Sequence, residues 1–319
     1  MNRSGYRAAL VRLFCIAVAC VSSLRADEGA LINVADLRIR DPFVFTDNAN
    51  GRYLMVASMR NRQPGARGWE CYASKDLQDW QPPVTVFTPP TGFWADRDFW
   101  APEIHAFRDK FYLFGTLSAE RANRGTQVFV ADSPLGPFQP HTRQAATPHD
   151  WMALDGTLLV EQGEPWMVFC HEWLQIGDGT MNAVRLSGDL SQPVGEPVLL
   201  FPASSAPWCR PIKPGKYVTD GPCFYRLQSG PLLMLWSSFG EHGYTVGVAR
   251  SLQGTISGPW IQDAQPLHEG GGHCMIFRSL AGRPMLVLHA PNDSPQERAR
   301  FFEVHEMQDT IRLQAVNGG

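Results

Sequence analysis

The sequence predicts an all-β chain folded as a five-bladed β-propeller. Three observations carry this. One pattern passes along the chain five times, each pass reads as a β-hairpin, and the passes begin about 50 to 65 residues apart. That spacing leaves room for two further strands in each unit. Four-stranded units repeated radially make a propeller, which removes the long exposed sheet edges that a flat sheet would keep.

The five passes are "DPFVFTDNANGRYLMVAS" from Asp41, "APEIHAFRDKFYLFGTLS" from Ala101, "DGTLLVEQGEPWMVFCHEW" from Asp155, "DGPCFYRLQSGPLLMLWSSFG" from Asp220 and "GHCMIFRSLAGRPMLVLHAPN" from Gly272. Each has a polar opening and a short apolar run. A charged or glycine-containing turn follows, then a run rich in Leu, Val, Met and aromatics. "WECYASKDLQDW" (Trp69 to Trp80), "TQVFVADSPLGPF" (Thr126 to Phe138) and "YTVGVARSLQGTISGPW" (Tyr244 to Trp260) read as outer strands of their units. No long helix is evident. A two-sheet sandwich would also be all-β, but it does not explain recurrence at this period.

The chain has 319 residues, of which 44% are hydrophobic and 18% charged, enough apolar content for a large core. The net charge of -3, without a basic block, excludes the clustered Lys/Arg face of a nucleic-acid binder. Residues 1–26 read as a secretory signal. Arg3, Arg7 and Arg12 precede the apolar stretch "LFCIAVACVSSL", and a small residue, Ala26, ends the segment. A lipid anchor at Cys20 is the alternative, but "AVAC" lacks the leucine that such a signal usually carries three residues ahead. No later apolar run reaches the roughly 20 residues of a membrane helix. The chain after the signal, residues 27–319, is expected to be a single propeller domain of a secreted or periplasmic protein. It holds Cys71, Cys170, Cys209, Cys223 and Cys274, an odd number without zinc-ligand spacing. Those in apolar strands are expected to be buried free thiols.

In a propeller the first strand of each blade lines the axis, so the openings of those strands converge. The opening residues are Asp41, Glu103 two residues into its strand, Asp155, Asp220 and His273. A lone Asp before Pro or Gly is ordinarily a turn residue. Several carboxylates at matching repeat positions are another matter, because they repel one another and are costly to bury. Two carboxylates flanking a sugar ring can cleave a glycosidic bond. One stays ionised and activates water, and the other, with a raised pKa, protonates the leaving oxygen. A wide gap between them gives inversion and a short one gives retention.

The motifs "RDPFVF", "WAPEIHAF...FYLFGT", "LDGTLLV", "DGPCFYR" and "GGGHCMIFR...LVLHAPN", in this order, resemble glycoside hydrolase family 43 over nearly all of residues 27–319. The resemblance implies an inverting hydrolase of α-L-arabinofuranosyl or β-D-xylosyl linkages in plant-type oligo- or polysaccharides, with no organic cofactor. It makes Asp41 the general base and Asp155 the residue that tunes and orients the acid. The acid position, usually Glu in the family, is here Asp220, one methylene shorter. Glu172, in "CHEW", is the reserve acid, or a residue at the rim that contacts substrate. His273 is implied to face the axis and to help hold a cation, often calcium, through water. A hydrogen-bonded axial histidine without a metal is the other reading.

Glu103, Trp100, Trp151, Glu172, Trp173 and Arg210 are the candidate substrate-binding residues. Aromatic faces pack on the apolar C–H faces of sugars, and Trp94 and Trp208 also sit beside the opening motifs. Packing between blades is the competing reading for each tryptophan. Arg210 is singled out by its place in the loop before Asp220. Two other readings remain open: a propeller glycosidase of a neighbouring family acting on fructose or anhydrogalactose, and a carbohydrate-binding propeller without catalysis. Fructan-cleaving propellers normally carry Asn before "DP", whereas Arg40 stands there in this chain.

Overall fold

The computed structural model describes Met1, residues 30–58 and residues 67–316. The segment read as a secretory signal lies, Met1 apart, outside the described residues. Five antiparallel sheets follow in chain order, and each is a blade. Their innermost strands are Phe43–Asp47, Arg97–Phe107, Ala153–Glu161, Asp220–Arg226 and Gly272–Arg278. Each innermost strand packs against the innermost strands of the blades before and after it, so the five close a ring around the axis.

The second strand of each blade explains the runs of consecutive apolar residues. In blade 1, Tyr53 and Met55 pack towards blade 5, while Leu54 and Val56 pack towards blade 2. In blade 4, Leu233 and Leu235 face blade 5, while Leu232, Met234 and Trp236 face blade 3. Side chains alternate across a strand, and here both faces are covered by a neighbouring sheet, so every position is apolar. The core is therefore a set of layers between blades. Burying one such leucine or methionine stabilises the chain by about 2–5 kcal/mol relative to alanine.

Among the described residues, the ring is closed without a strand shared between the first and last blades. Strand Ile32–Asn33 pairs with Asp79–Trp80 inside blade 1. The segment after it carries Val34, Leu37 and Ile39 into the apolar layer shared with blade 5. Arg38 pairs with the buried Glu297, and the Arg298 guanidinium donates to the Ala35 carbonyl. Among the described residues, helix is confined to one turn, Trp173–Ile176, and a 3-10 turn, Ala203–Ser205. Among the described residues no helix is long and apolar enough to cross a membrane. Cys71, Cys170, Cys209, Cys223 and Cys274 are all buried and unpaired to one another, as expected for thiols used as small apolar fillers.

Candidate active site

The innermost strands share a device that the repeats only hint at. In blades 2 to 5 the pairing of first and second strands slips just after Trp100, Leu154, Asp220 and Gly272. The next residues, Ala101, Asp155, Gly221 and His273, have φ of 38°, 56°, 49° and 51°, and Asp41 just ahead of the first strand has 51°. A bulge with a left-handed residue turns the chain sharply where the strand meets the axis. Left-handed backbone costs a non-glycine residue roughly 1–3 kcal/mol, so Asp41, Asp155 and His273 are held there by their surroundings.

This corrects the alignment of the openings. Asp41, Asp155 and His273 do occupy equivalent positions. Asp220 lies one residue before the equivalent position, which Gly221 fills, and Glu103 lies two residues after Ala101. Gly221 is required there, because a Cβ would stand 2.9 Å from the His273 ring.

The structure brings Asp41, Asp155, Asp220 and His273 together. Nδ1 of His273 lies 3.3 Å from Oδ1 of Asp41 and 3.7 Å from Oδ2 of Asp155. The Ser58 hydroxyl donates to Oδ2 of Asp41 at 2.6 Å and accepts the Ala101 N–H at 2.7 Å. Burial pushes the Asp41 carboxyl up, but His273, His289, Arg40 and the Ser58 hydrogen bond outweigh it and hold the group at about 2. His289, pushed down to about 4 mainly by burial, is neutral near pH 7. Its share in stabilising the Asp41 carboxylate then lapses, and His273, Arg40 and Ser58 keep the downward direction. Nδ1 of His289 accepts the backbone N–H of Asp41 at 3.2 Å, so the ring proton sits on Nε2, which reaches Oδ1 of Asn292 at 3.0 Å.

The other two aspartates are shifted the opposite way. Burial and the nearby Asp41 raise Asp155 well above the usual carboxylate range, against the N–H of Gly221, which donates to Oδ2 at 3.0 Å. Burial and repulsion from Asp155 raise Asp220 to about 7, against the pull of His273 and the Tyr244 hydroxyl. The site thus holds Asp41 ionised while Asp155 and Asp220 keep their protons to higher pH than ordinary carboxyls. That is the division of labour that acid/base glycoside cleavage needs.

The outlying candidates are placed unevenly. Glu172 is buried at the same end as Asp155 and forms an ion pair with Arg124, which also reaches Oδ2 of Asp98 at 3.2 Å. The Arg124 guanidinium stacks over Trp100 at 4.2 Å. This group borders a cleft of about 790 Å³ lined by Trp94, Asp98, Arg121, Arg124, His149 and other residues. Glu103 is buried, bonded to His105 at 2.8 Å, and close enough to raise Asp155. Trp151 stacks on His171 with ring centres 4.0 Å apart. Trp173 starts the one-turn helix and is half-buried. Arg210 is exposed, and its guanidinium is bonded to the carbonyls of Pro207 and Cys209 in its own loop. Trp208 is buried against Trp236, which makes it a packing residue.

Sequence reasoning missed Ser58, Tyr244 and His289. The first ends the blade 1 hairpin, and the last lies inside the quoted "LVLHAPN". Neither motif shows that its polar residue turns back to an aspartate far away in the chain. As for calcium, among the described residues no three His, Cys, Asp or Glu side chains converge as a metal-ligand group. His273 offers one imidazole nitrogen to two carboxylates, which does not fit the six to eight oxygen ligands of a directly held calcium ion.

The fold and the paired, oppositely shifted carboxylates define a carbohydrate-cleaving propeller. Comparison with known proteins agrees. The model for glycosyl hydrolases family 43 matches residues 32–310. An extracellular exo-α-(1→5)-L-arabinofuranosidase, ArbA, of Cellvibrio japonicus is 26% identical, across 75% of this chain and 78% of that protein. The crystal structure of an endo-arabinase from Bacteroides thetaiotaomicron superposes with a TM-score of 0.82 at 40% identity, covering 89% of this chain and 100% of that one. An endo-1,4-β-xylanase structure from the same organism, at 22% identity and a TM-score of 0.74, shares the fold. The chain belongs to glycosyl hydrolases family 43 and is a glycoside hydrolase.

Proposed function

We propose that the protein is an exported hydrolase of α-L-arabinofuranosyl linkages, with α-1,5-linked arabinan the favoured substrate and β-D-xylosides the second, acting with inversion. The single observation that carries the mechanism is the opposed setting of two aspartates, Asp41 at about 2 and Asp220 at about 7. The arabinan preference rests on the names of the two relatives above, one an arabinofuranosidase and one an endo-arabinase. Export is supported by the extracellular description of the first.

In this reading Asp41 takes a proton from water as the water oxygen bonds to the anomeric carbon. The bond from that carbon to the leaving oxygen breaks, and Asp220 gives its proton to that oxygen. Asp155 acts on the acid in two ways. Burial and, once it ionises, the charge of Asp155 raise Asp220, and the bond of Asp155 to the Gly221 N–H fixes the backbone beside Asp220. Glu172, Trp100, Trp151, Trp173, Glu103 and Arg210 are proposed to bind or shape the sugar site. Any calcium at the axis would be held by His273 through water, and elemental analysis of the purified protein after dialysis tests for it.

The test is sugar release from aryl α-L-arabinofuranoside, aryl β-D-xyloside and arabino-oligosaccharides by wild type, Asp41→Ala and Asp220→Ala. The anomer first formed is read by NMR. Release of the inverted anomer by wild type, loss in Asp41→Ala, and rescue of Asp220→Ala by a leaving group that needs no proton support the reading. Activity surviving in both variants overturns the mechanism. Release from neither sugar overturns the substrate.

A further inference from the structure

We propose that Tyr244 is a positioning residue for the general acid, and that its hydroxyl keeps the transferable proton of Asp220 on Oδ1. The inference rests on the reading of Asp220 as the acid. The Tyr244 hydroxyl lies 3.0 Å from Oδ2 of Asp220 and donates to it. No other acceptor for that proton is found among the described residues. A phenol has one proton to give. With that proton directed at Oδ2, Oδ2 acts as the acceptor oxygen of the acid, and the acid's own proton belongs on Oδ1. Oδ1 has no hydrogen-bond partner among the described residues, which leaves it available to the leaving oxygen.

The ring is held for this purpose on several sides. Tyr244 is 5% exposed and sits on the third strand of blade 4, Gly243–Ser251. It lies nearly parallel to His289, 20° between planes with centres 5.5 Å apart, and Phe239 packs beside it. His289 is in turn fixed by the Asp41 backbone and by Asn292. Gly272 explains one of the three consecutive glycines at 270–272, since a Cβ there would come within 2.5 Å of the Tyr244 ring. Next to Gly272, the His273 N–H donates to Ser237 at 2.8 Å, which anchors the strand that leaves this space. The arrangement suits a short acid. An aspartate has fewer rotatable bonds than glutamate, so one fixed hydrogen bond to its carboxyl sets the whole group.

The charged and titratable groups acting on this pair are Asp41, Asp155, Arg40 and His273, with the neutral His289 stacked on the ring. Burial and Asp220 keep Tyr244 protonated well above pH 10, so it donates across the working range.

The experiment compares full-length wild type, Tyr244→Phe and Asp220→Ala on two arabinosides. One has a sugar leaving group, and the other has a nitrophenolate that leaves without a proton. Tyr244→Phe keeps the ring, so melting curves are expected to match wild type. Its kcat is expected to fall about tenfold or more on the sugar leaving group and less than about threefold on the nitrophenolate. Its alkaline limb moves to higher pH, because the lost hydrogen bond had favoured ionised Asp220. Equal losses on both substrates with an unmoved alkaline limb, or no loss at all, overturn the proposal. Failure of the Asp220 reading shows separately, as Asp220→Ala losing activity equally on both leaving groups. If Asp220→Ala still discriminates between them and Tyr244→Phe does not, only the Tyr244 assignment falls.

Discussion

The backbone N–H of Gly221 donates to Oδ2 of Asp155 at 3.0 Å, tying the third blade to the residue beside the proposed acid in the fourth. Asp155 is therefore linked to Asp220 twice, through this bond and through its part in raising the Asp220 pKa. Asp155→Asn keeps an acceptor oxygen for Gly221 but removes the ionisable group that, after burial, raises Asp220. The alkaline limb of kcat/KM is then expected to move to lower pH, with kcat down about 10- to 100-fold. A pH profile of the variant beside wild type checks this, and an unmoved limb would detach Asp155 from tuning.

In wild type the same shifts set the working pH. Asp41, the proposed base, at about 2, is ionised throughout the mildly acidic range, and Asp220, the proposed acid, at about 7, is protonated below neutrality. Activity should hold from about pH 4 to 6 and then fall about tenfold per unit above pH 7. Initial rates on an aryl arabinofuranoside across that range test it.

Holding Asp220 protonated costs stability in alkali. Unfolded, the group ionises near 3.8, and folded it keeps its proton to about 7. Between those values the folded state binds more protons, so its contribution weakens as pH rises and is fully lost above about 7. Asp220→Asn should therefore be more stable than wild type at pH 8, by a few kcal/mol at most, and little changed at pH 4. Urea titrations at both pH values measure the difference. Asp41 has the opposite sign. Its folded value near 2 lies below 3.8, so its contribution is present above about pH 4 and disappears as pH falls through 2.

Ser58 serves two strangers in sequence, the Asp41 carboxylate and the Ala101 N–H. Ser58→Ala leaves a buried N–H unpaired and frees one oxygen of the base. The expected cost is about 1–3 kcal/mol of stability and roughly tenfold in kcat. Melting and single-substrate kinetics separate the two effects.

Arg124 neutralises the buried Glu172 and covers Trp100. Burial raises the Glu172 pKa and Arg124 opposes it, so Arg124→Ala should raise it further and destabilise the protein by about 3–5 kcal/mol. Arg124→Lys retains the charge but not the flat stack, and should restore part of the loss. Denaturant midpoints of both variants decide between pairing and stacking.

The amino-acid sequence by itself determined the five blades, their hairpins and the openings at Asp41, Asp155 and His273. Alternation along a strand is a local property. A second strand such as "LLMLW", apolar at every position, shows in its own residues that both of its faces are to be covered. The convergence of Asp41, Asp155 and His273 was legible for the same reason, since a repeat places equivalent residues at equivalent radius. What only the tertiary structure decided is the register of the bulges and the identity of the partners. The slip after Asp220 gives the left-handed position to Gly221, so Asp220 enters from a different step of the backbone than the other two aspartates. A bulge is set by how two strands pair, and its left-handed residue carries no single residue type, being Asp, Ala, Gly or His here. Tyr244 and His289 reach Asp220 and Asp41 from the third strand of blade 4 and the second strand of blade 5. Their roles arise from the closure of the ring, which sets side chains distant in the chain within hydrogen-bond reach.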